Sequence, residues 1–120
     1  MKSGTVAASG EAASAIMLEQ VWQAESVWER GRGLLGRAPL DWGQGFWIEP
    51  CSSVHTIGMG YPLDLAFLDA QGVIRKLVRD VRPWRMASAW HARTTLEMRS
   101  GQLDRCAWRV GDRLTWRSKA

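Results

Sequence analysis

The clearest pattern along this chain is an apolar run at residues 63–68 (LDLAFL), which only Asp64 interrupts. A short run without alternation is typical of a strand that is buried on both faces of a sheet. Residues 73–81 (VIRKLVRDV) alternate between apolar and charged positions, and the turn sequence DAQG at 69–72 joins the two segments. The pattern therefore predicts a β-hairpin.

Other segments rich in β-branched or aromatic residues predict further strands, at residues 16–24, 46–49, 54–59, 94–98 and 113–117. Two short helices are predicted, at 26–36 and around 102–106, because Ser26 and Glu29 have the spacing of a capping box and the second segment precedes a Gly-Asp turn. The content of Pro and Gly predicts loops at 37–45 and 82–93.

Six or seven strands with two short helices predict a mostly-β fold, a sandwich or a barrel-like roll. Residues 1–15, rich in small and polar side chains, are expected to be a disordered tail, which leaves residues 16–118 as a single β domain. No stretch approaches the roughly 20 apolar residues of a membrane span. Residues 1–15 also lack the apolar core of a signal peptide, so the expected location is the cytoplasm.

The chain carries a formal net charge of +4. The basic residues are spread along the chain and interleaved with acidic ones, so we expect no nucleic-acid partner. The two cysteines, Cys51 and Cys106, form neither a disulfide framework nor a CxxC zinc motif. We expect reduced thiols and no metal or cofactor.

Asp64 is the first candidate site residue, since a carboxylate in a buried strand must be paired or hydrogen-bonded. Arg30 and Arg37, in the segment ERGRGLLGR, are the expected partners because a guanidinium can bind a carboxylate in a bidentate manner. Such a pair either ties a helix to the sheet or forms part of a polar pocket for a small anionic or hydroxylated ligand.

The neighbouring residues depend on a predicted hairpin between 54–59 and 63–68, closed by Gly-Tyr-Pro. That register sets Gly58 opposite Asp64 and gives Thr56 the same face as Asp64, whereas His55 points to the other side. Cys51 and His55 lie four residues apart, which is about 13 Å in an extended chain. A thiolate–imidazole pair or a metal site at this position is therefore not favoured.

Three further residues are secondary candidates. Glu97 stands between Leu96 and Met98, and alternation predicts that it is exposed. Trp84 and Trp90 fall in the predicted loop at 82–93, where aromatic rings can stack on sugars or contact a partner protein. Trp84 also has arginine neighbours, so a cation–π contact within the protein would equally explain it.

Five segments in this order resemble the family called domain of unknown function 192: ERGRGLLGR, GFWIEPCSSVHTIGM, PLDLAFLDAQGVI, LEMRSG and WRVGDRL. The resemblance covers residues 21–115 and implies a compact, jelly-roll-like, mostly-β domain of bacteria and archaea with no established activity. It also implies relatives that are often exported. This sequence has VHT where relatives carry a tryptophan-containing motif with Asn-Thr, so residue roles do not transfer directly.

The function expected from these features is that of a small-ligand or partner-binding domain, monomeric by default, with a polar pocket around Asp64. The alternatives are a hydrolase-type enzyme that uses Asp64 and a carbohydrate-binding module that uses the loop tryptophans. Whether the protein is an enzyme stays open at this point.

Overall fold

The computed structural model describes residues 1–9, 17–26, 34 and 36–119. Within these residues the chain forms nine strands and one short helix, α1 (Gln102–Cys106). The strands are β1 (Lys2–Ser9), β2 (Leu18–Gln23), β3 (Gln44–Ile48), β4 (Ser53–His55), β5 (Leu63–Leu68), β6 (Ile74–Val81), β7 (Met86–Ser88), β8 (Thr94–Arg99) and β9 (Arg113–Ser118).

Seven of the strands form one mixed sheet in the order β6-β5-β8-β3-β2-β1-β9. β2 and β3 run parallel, and the other neighbours pair antiparallel. The two ends of the sheet meet at one corner, where Val73 bridges to Arg113 and the backbone N–H of Leu114 donates to the carbonyl of Gly72 over 2.8 Å. The sheet is therefore strongly curved, but it is not closed along its edge strands.

The inner face of the curved sheet holds the first hydrophobic core. All seven strands of the sheet, α1 and the segment that follows α1 contribute buried side chains to this core, namely Val6, Leu18, Val21, Trp47, Ala66, Leu68, Ile74, Leu96, Met98, Leu103, Cys106, Trp108 and Leu114. The sheet thus wraps around this cluster, and α1 covers it from one side.

The outer face carries a second core beneath the two-stranded sheet formed by β4 and β7. We call β4, β7 and the adjoining residues 56–57 and 82–85 the flap. Val54 of the flap packs on sheet residues of the outer face, among them Phe46, Leu65 and Phe67. Because β5 has a core on each face, all six of its residues are buried, as the sequence predicted.

Several sequence predictions are confirmed: the mostly-β class, the β5–β6 hairpin and the helix at 102–106. The jelly-roll or closed-roll arrangement does not appear, because the described strands form an open mixed sheet. The other helix, predicted at 26–36, falls mainly on residues 27–33 and 35, outside the described residues.

Three local predictions are wrong. Residues 2–9 are not a disordered tail, because they form β1, which pairs with both β2 and β9 and buries Val6 completely. Residues 82–93 are not all loop, because they include β7. The hairpin between 54–59 and 63–68 does not form, since β4 pairs with β7 whereas β5 pairs with β6 and β8.

No helix among the described residues is both long enough and apolar enough to cross a bilayer.

Candidate functional site

Asp64 is buried on the inner face of β5, with only 1% of its surface exposed. Its carboxylate accepts three backbone hydrogen bonds. The N–H of Asp80 donates to Oδ1 over 2.9 Å, and the N–H groups of Gly101 and Leu103 each donate to Oδ2 over 3.0 Å. Three such donors compensate for burial of a charged carboxylate, because hydrogen bonds to an ionised group are among the strongest in proteins.

The Asp64 carboxylate joins two irregular backbone segments. Two residues of β6, Arg79 and Asp80, oppose the single residue Asp64 on β5, which makes a β-bulge, and Asp80 has a positive φ of 53°. Gly101 is the N-cap residue of α1 and has no side chain to cap the helix. Asp64 fulfils the capping role from a neighbouring strand.

The prediction that an arginine pairs with Asp64 is wrong for Arg37. The Arg37 guanidinium carbon lies 5.6 Å from the ring centroid of Phe46, which belongs to the outer core. Arg30 lies outside the described residues. The geometry thus matches the alternative in which Asp64 ties structural elements together, although the element that it ties is α1.

Thr56 is fully buried, but in the flap and not beside Asp64. Its hydroxyl donates to the carbonyl of Arg82 over 2.7 Å and accepts from the backbone N–H of Arg85 over 2.9 Å. The residue opposite Asp64 is Met98 of β8, so the predicted register with Gly58 is wrong. His55 is exposed and pairs with Met86 on the outer side of the flap.

Glu97 is the residue whose environment the sequence predicted least well. It is only 3% exposed and lies on the outer face of β8, between Phe46 of β3 and Leu65 of β5. Its Oε1 atom is buried and has no hydrogen-bond partner among the residues that the structure describes. Burial raises the pKa of Glu97 to about 8, so at neutral pH the folded protein holds this carboxyl mainly in its protonated form.

Tyr61 adds a second unsatisfied group to the same region. Its hydroxyl is buried without a partner, and its ring packs against the outer core. Burial, followed by the charge of Glu97, raises the pKa of Tyr61. Two titratable groups that are held away from water and influence each other mark this part of the outer face as a candidate site.

An open cavity of about 500 Å³ lies on the outer face, and its lining as described includes neither Glu97 nor Tyr61. Phe46, the neighbour of Glu97 across the strands, lines it. The apolar part of the lining also includes Trp22, Leu34, Ala38, Pro39 and Leu40, and the polar or charged part includes Arg37, Asp41 and Gln44. A volume of this size falls within the usual range for small-molecule sites, about 300–1,000 Å³.

The tryptophans divide into structural and exposed groups. Trp47 and Trp108 belong to the inner core. Trp42 takes part in the cation–π contacts that were considered for Trp84, since the guanidinium carbons of Arg99 and Arg105 lie 4.3 and 3.5 Å from its ring centroid. Trp84 and Trp90 are 66% and 85% exposed, and within the described part of the chain neither makes such a contact.

The cysteines are both free thiols: Cys51 donates to the carbonyl of Ser53, and Cys106 is buried in the inner core, where burial raises its pKa. In the part of the chain that the structure describes, no three His, Cys, Asp or Glu side chains come together as metal ligands.

The curved seven-stranded sheet, its inner core capped by α1 and its outer flap together define a small mixed-sheet β domain. The chain belongs to the family domain of unknown function 192 (DUF192, "Uncharacterized ACR"), whose model matches residues 5–116. No functionally curated protein matches it.

Two solved structures share the fold. One, from Sinorhizobium meliloti 1021, is described as "a putative transcription regulator"; its TM-score is 0.84 at 21% identity, over 95% of this chain and 93% of that chain. The other, a protein of unknown function from Novosphingobium aromaticivorans DSM 12444, has a TM-score of 0.78 at 18% identity, over 93% of this chain and 84% of that chain. At these identities the similarity shows the fold alone.

Proposed function

We propose that this domain binds a small ligand in the outer-face cavity over Phe46, and that the ligand combines an apolar body with an anionic or hydroxyl group. The observation that carries the proposal is the cavity itself, together with the buried carboxyl of Glu97 that lies across the strands from Phe46, one of the residues lining the cavity. Buried polar atoms without partners are rare in folded proteins, so each calls for a physical explanation such as a bound water, an ion or a functional role.

The chemistry of the cavity supports this ligand class. Its walls are mainly aromatic and aliphatic, which favours an apolar body. Arg37 can attract an anionic group, whereas Asp41, which also lines the cavity, can accept a hydrogen bond from a hydroxyl group. Asp64, Thr56 and His55 remain predicted ligand residues with weaker support. The polar atoms of Asp64 and Thr56 are engaged with backbone groups, and His55 lies on the outer side of the flap.

The proposal is tested by NMR titration with benzoate and octanoate, with their methyl esters as uncharged comparisons. We expect the carboxylates to shift the amide resonances of Gln44 and Phe46, and the Ala38→Trp variant to abolish the shifts by filling the exposed mouth of the cavity. Ser118→Trp, which adds an indole at an exposed position of β9, is the matched control. Absence of shifts with all four compounds, or equal effects of the two variants, contradicts the proposal.

A second candidate function is hydrolysis, in which Glu97 acts as the general acid in place of Asp64. A carboxyl with a pKa of about 8 keeps its proton at neutral pH, which is the property that a general acid needs. Nitrophenyl esters, phosphodiesters and glycosides are suitable substrates for a screen. Turnover that persists unchanged in Glu97→Gln would remove this candidate.

The carbohydrate-binding alternative has the least support. Trp84 and Trp90 lie beyond opposite ends of β7, whose three residues span about 10 Å, and no ring contact joins the two tryptophans among the described residues. Titration of intrinsic fluorescence against a glycan panel tests it directly.

A further inference from the structure

The flap exposes three large apolar side chains at one end. Ile57, Trp84 and Met86 are 47%, 66% and 71% exposed. Backbone hydrogen bonds bring them together, because the N–H of Trp84 donates to the carbonyl of Thr56 and the N–H of Thr56 donates to the carbonyl of Arg85. Ile57 follows Thr56, and Trp84 and Met86 flank Arg85. These three residues therefore lie at the same end of the flap, which we call the tip.

Hydrogen bonds from a buried threonine fix the backbone of the tip. The buried Thr56 hydroxyl bonds to backbone groups of both Arg82 and Arg85, at 2.7 and 2.9 Å. Trp84 has a positive φ of 63°, which is unfavourable for a bulky side chain. Such a conformation persists only where the surroundings fix it, and strained residues of this kind concentrate at functional sites. The exposure of Trp84 is thus a fixed property of the flap.

The region of the tip is predominantly basic. Residues 50–63 and 81–96 contain no Asp or Glu and contain Arg82, Arg85, Arg93 and two histidines, and Arg93 lies 3.6 Å from Glu49, an acid just outside these segments. Arg82 and Arg85 flank Trp84 in sequence, and Arg82 contacts one acid, Asp80, at 3.6 Å on the exposed surface. A partner surface for the tip must therefore be anionic as well as able to accept apolar side chains.

We propose that the flap docks on an anionic lipid surface, with Ile57, Trp84 and Met86 inserted among the head groups and Arg82 and Arg85 against the lipid phosphates. Tryptophan is enriched at membrane–water interfaces, where its amphipathic ring fits the head-group level. Peripheral proteins combine apolar insertion with electrostatic attraction to anionic lipids in this way. This inference is independent of the ligand proposed for the cavity.

Two other occupants fit the tip less well. Single-stranded nucleic acid is bound by successive aromatic rings, whereas this tip has one ring beside the aliphatic side chains of Ile57 and Met86. A stable protein partner needs about 800 Å² on each side, from roughly 20–30 residues, whereas the tip consists of three exposed apolar residues and their arginine neighbours.

The test is sedimentation with vesicles of phosphatidylcholine and phosphatidylglycerol, with phosphatidylglycerol at roughly 30%, and with pure phosphatidylcholine vesicles, because basic residues are attracted to anionic lipids. The wild-type chain is expected to bind the anionic vesicles only. Arg82→Gln with Arg85→Gln should lower the partition coefficient about 30-fold, because each basic residue near such a surface contributes roughly fivefold. Trp84→Asn and Met86→Ser should also weaken binding, and asparagine tolerates the positive φ so that folding is preserved.

Matched controls are Arg109→Gln and Val110→Ser, which change an arginine and an exposed apolar residue outside the flap. Circular dichroism melts confirm that each variant folds. The proposal is overturned if the wild type does not bind anionic vesicles, or if the controls weaken binding as much as the flap variants. It is also overturned if the flap variants leave vesicle binding unchanged but abolish binding of an oligothymidylate or convert a dimer into a monomer in sedimentation velocity.

Discussion

The carboxylate of Asp64 caps a helix whose N-cap residue, Gly101, lies 37 residues later, through a 3.0 Å hydrogen bond from the backbone N–H of Gly101. The same side chain also holds the backbone of the β6 bulge at Asp80. One buried carboxylate therefore fixes the position of α1 relative to the sheet edge, a role that no residue near α1 in the sequence performs.

Replacing Asp64 with asparagine should destabilise the protein strongly. The amide NH₂ group cannot accept hydrogen bonds, so at least one backbone N–H loses its partner while buried, and the charge assistance of all three bonds is lost. We expect the free energy of unfolding, measured with urea, to fall by about 3–5 kcal/mol. Asp104→Asn is the matched control because Asp104 makes only an exposed ion pair with Arg79, and its loss should cost less than about 1 kcal/mol. Equal effects of the two substitutions would contradict this role for Asp64.

Glu97 should make the protein less stable as the pH rises. Its pKa is about 8 in the folded state and near 4.5 when unfolded, so between these values the folded protein holds a proton that the unfolded chain releases. This contribution is fully present below pH 4.5 and is lost as the pH rises through 8. From pH 5 to 8 we expect the free energy of unfolding to fall by about 3 kcal/mol.

The substitution Glu97→Gln should remove this dependence because glutamine does not titrate, whereas Glu19→Gln, at an exposed position of β2, should keep the wild-type slope. Urea unfolding of the wild type and the two variants at several pH values measures the pH dependence of the free energy of unfolding. A wild-type slope that survives in Glu97→Gln would assign the dependence to another group.

Thr56→Val should loosen the flap. Valine has the shape of threonine but lacks the hydroxyl, so the carbonyl of Arg82 and the N–H of Arg85 lose a buried partner. We expect a loss of about 1–3 kcal/mol and faster hydrogen exchange at the Arg85 amide. Thr115→Val, on the exposed side of β9, should leave both quantities near their wild-type values. Unchanged exchange at Arg85 would show that other contacts hold the flap.

Gly72→Ala should destabilise the corner where the sheet edges meet. Gly72 has a φ of +81°, and an added Cβ would lie 2.6 Å from the carbonyl oxygen of Leu114, a backbone atom that cannot rotate away. Gly111→Ala is a close control, since Gly111 also has a positive φ, of +101°, but open space around the Cβ position. The control should cost about 1 kcal/mol from backbone strain, and Gly72→Ala clearly more. Thermal unfolding of both variants measures their loss of stability. Equal losses would mean that the backbone at the corner shifts to accommodate the added Cβ and would contradict this prediction.

The sequence predicted well those features that depend on local pattern. The continuous apolar run of β5 and the alternation of β6 indicated a hairpin, and the same run required a compensated Asp64. The identity of the compensating donors could not be predicted, because backbone N–H groups leave no mark in the sequence and come from residues 16 to 39 positions away.

Glu97 shows why alternation fails in the centre of a two-faced sheet. An acid between two apolar residues normally indicates an exposed face, but β8 lies between β5 and β3 and is covered on both sides. The full burial of its neighbour β5, which the sequence did predict, was the available indication. The pairing of β4 with β7 could not be predicted either, since three residues are too few to establish a period.

The position of β1 between β2 and β9 constrains the order in which the fold can be completed. During synthesis β1 can pair with β2 early, but its other edge has no partner until residues 113–118 have emerged, more than 100 residues after it. For that period the nascent chain presents an open strand edge, which is the kind of surface that aggregates or recruits chaperones. During synthesis the pairing of β9 with β1 can therefore occur only after the other strands have emerged, and conditions that delay it should favour aggregation of the nascent chain.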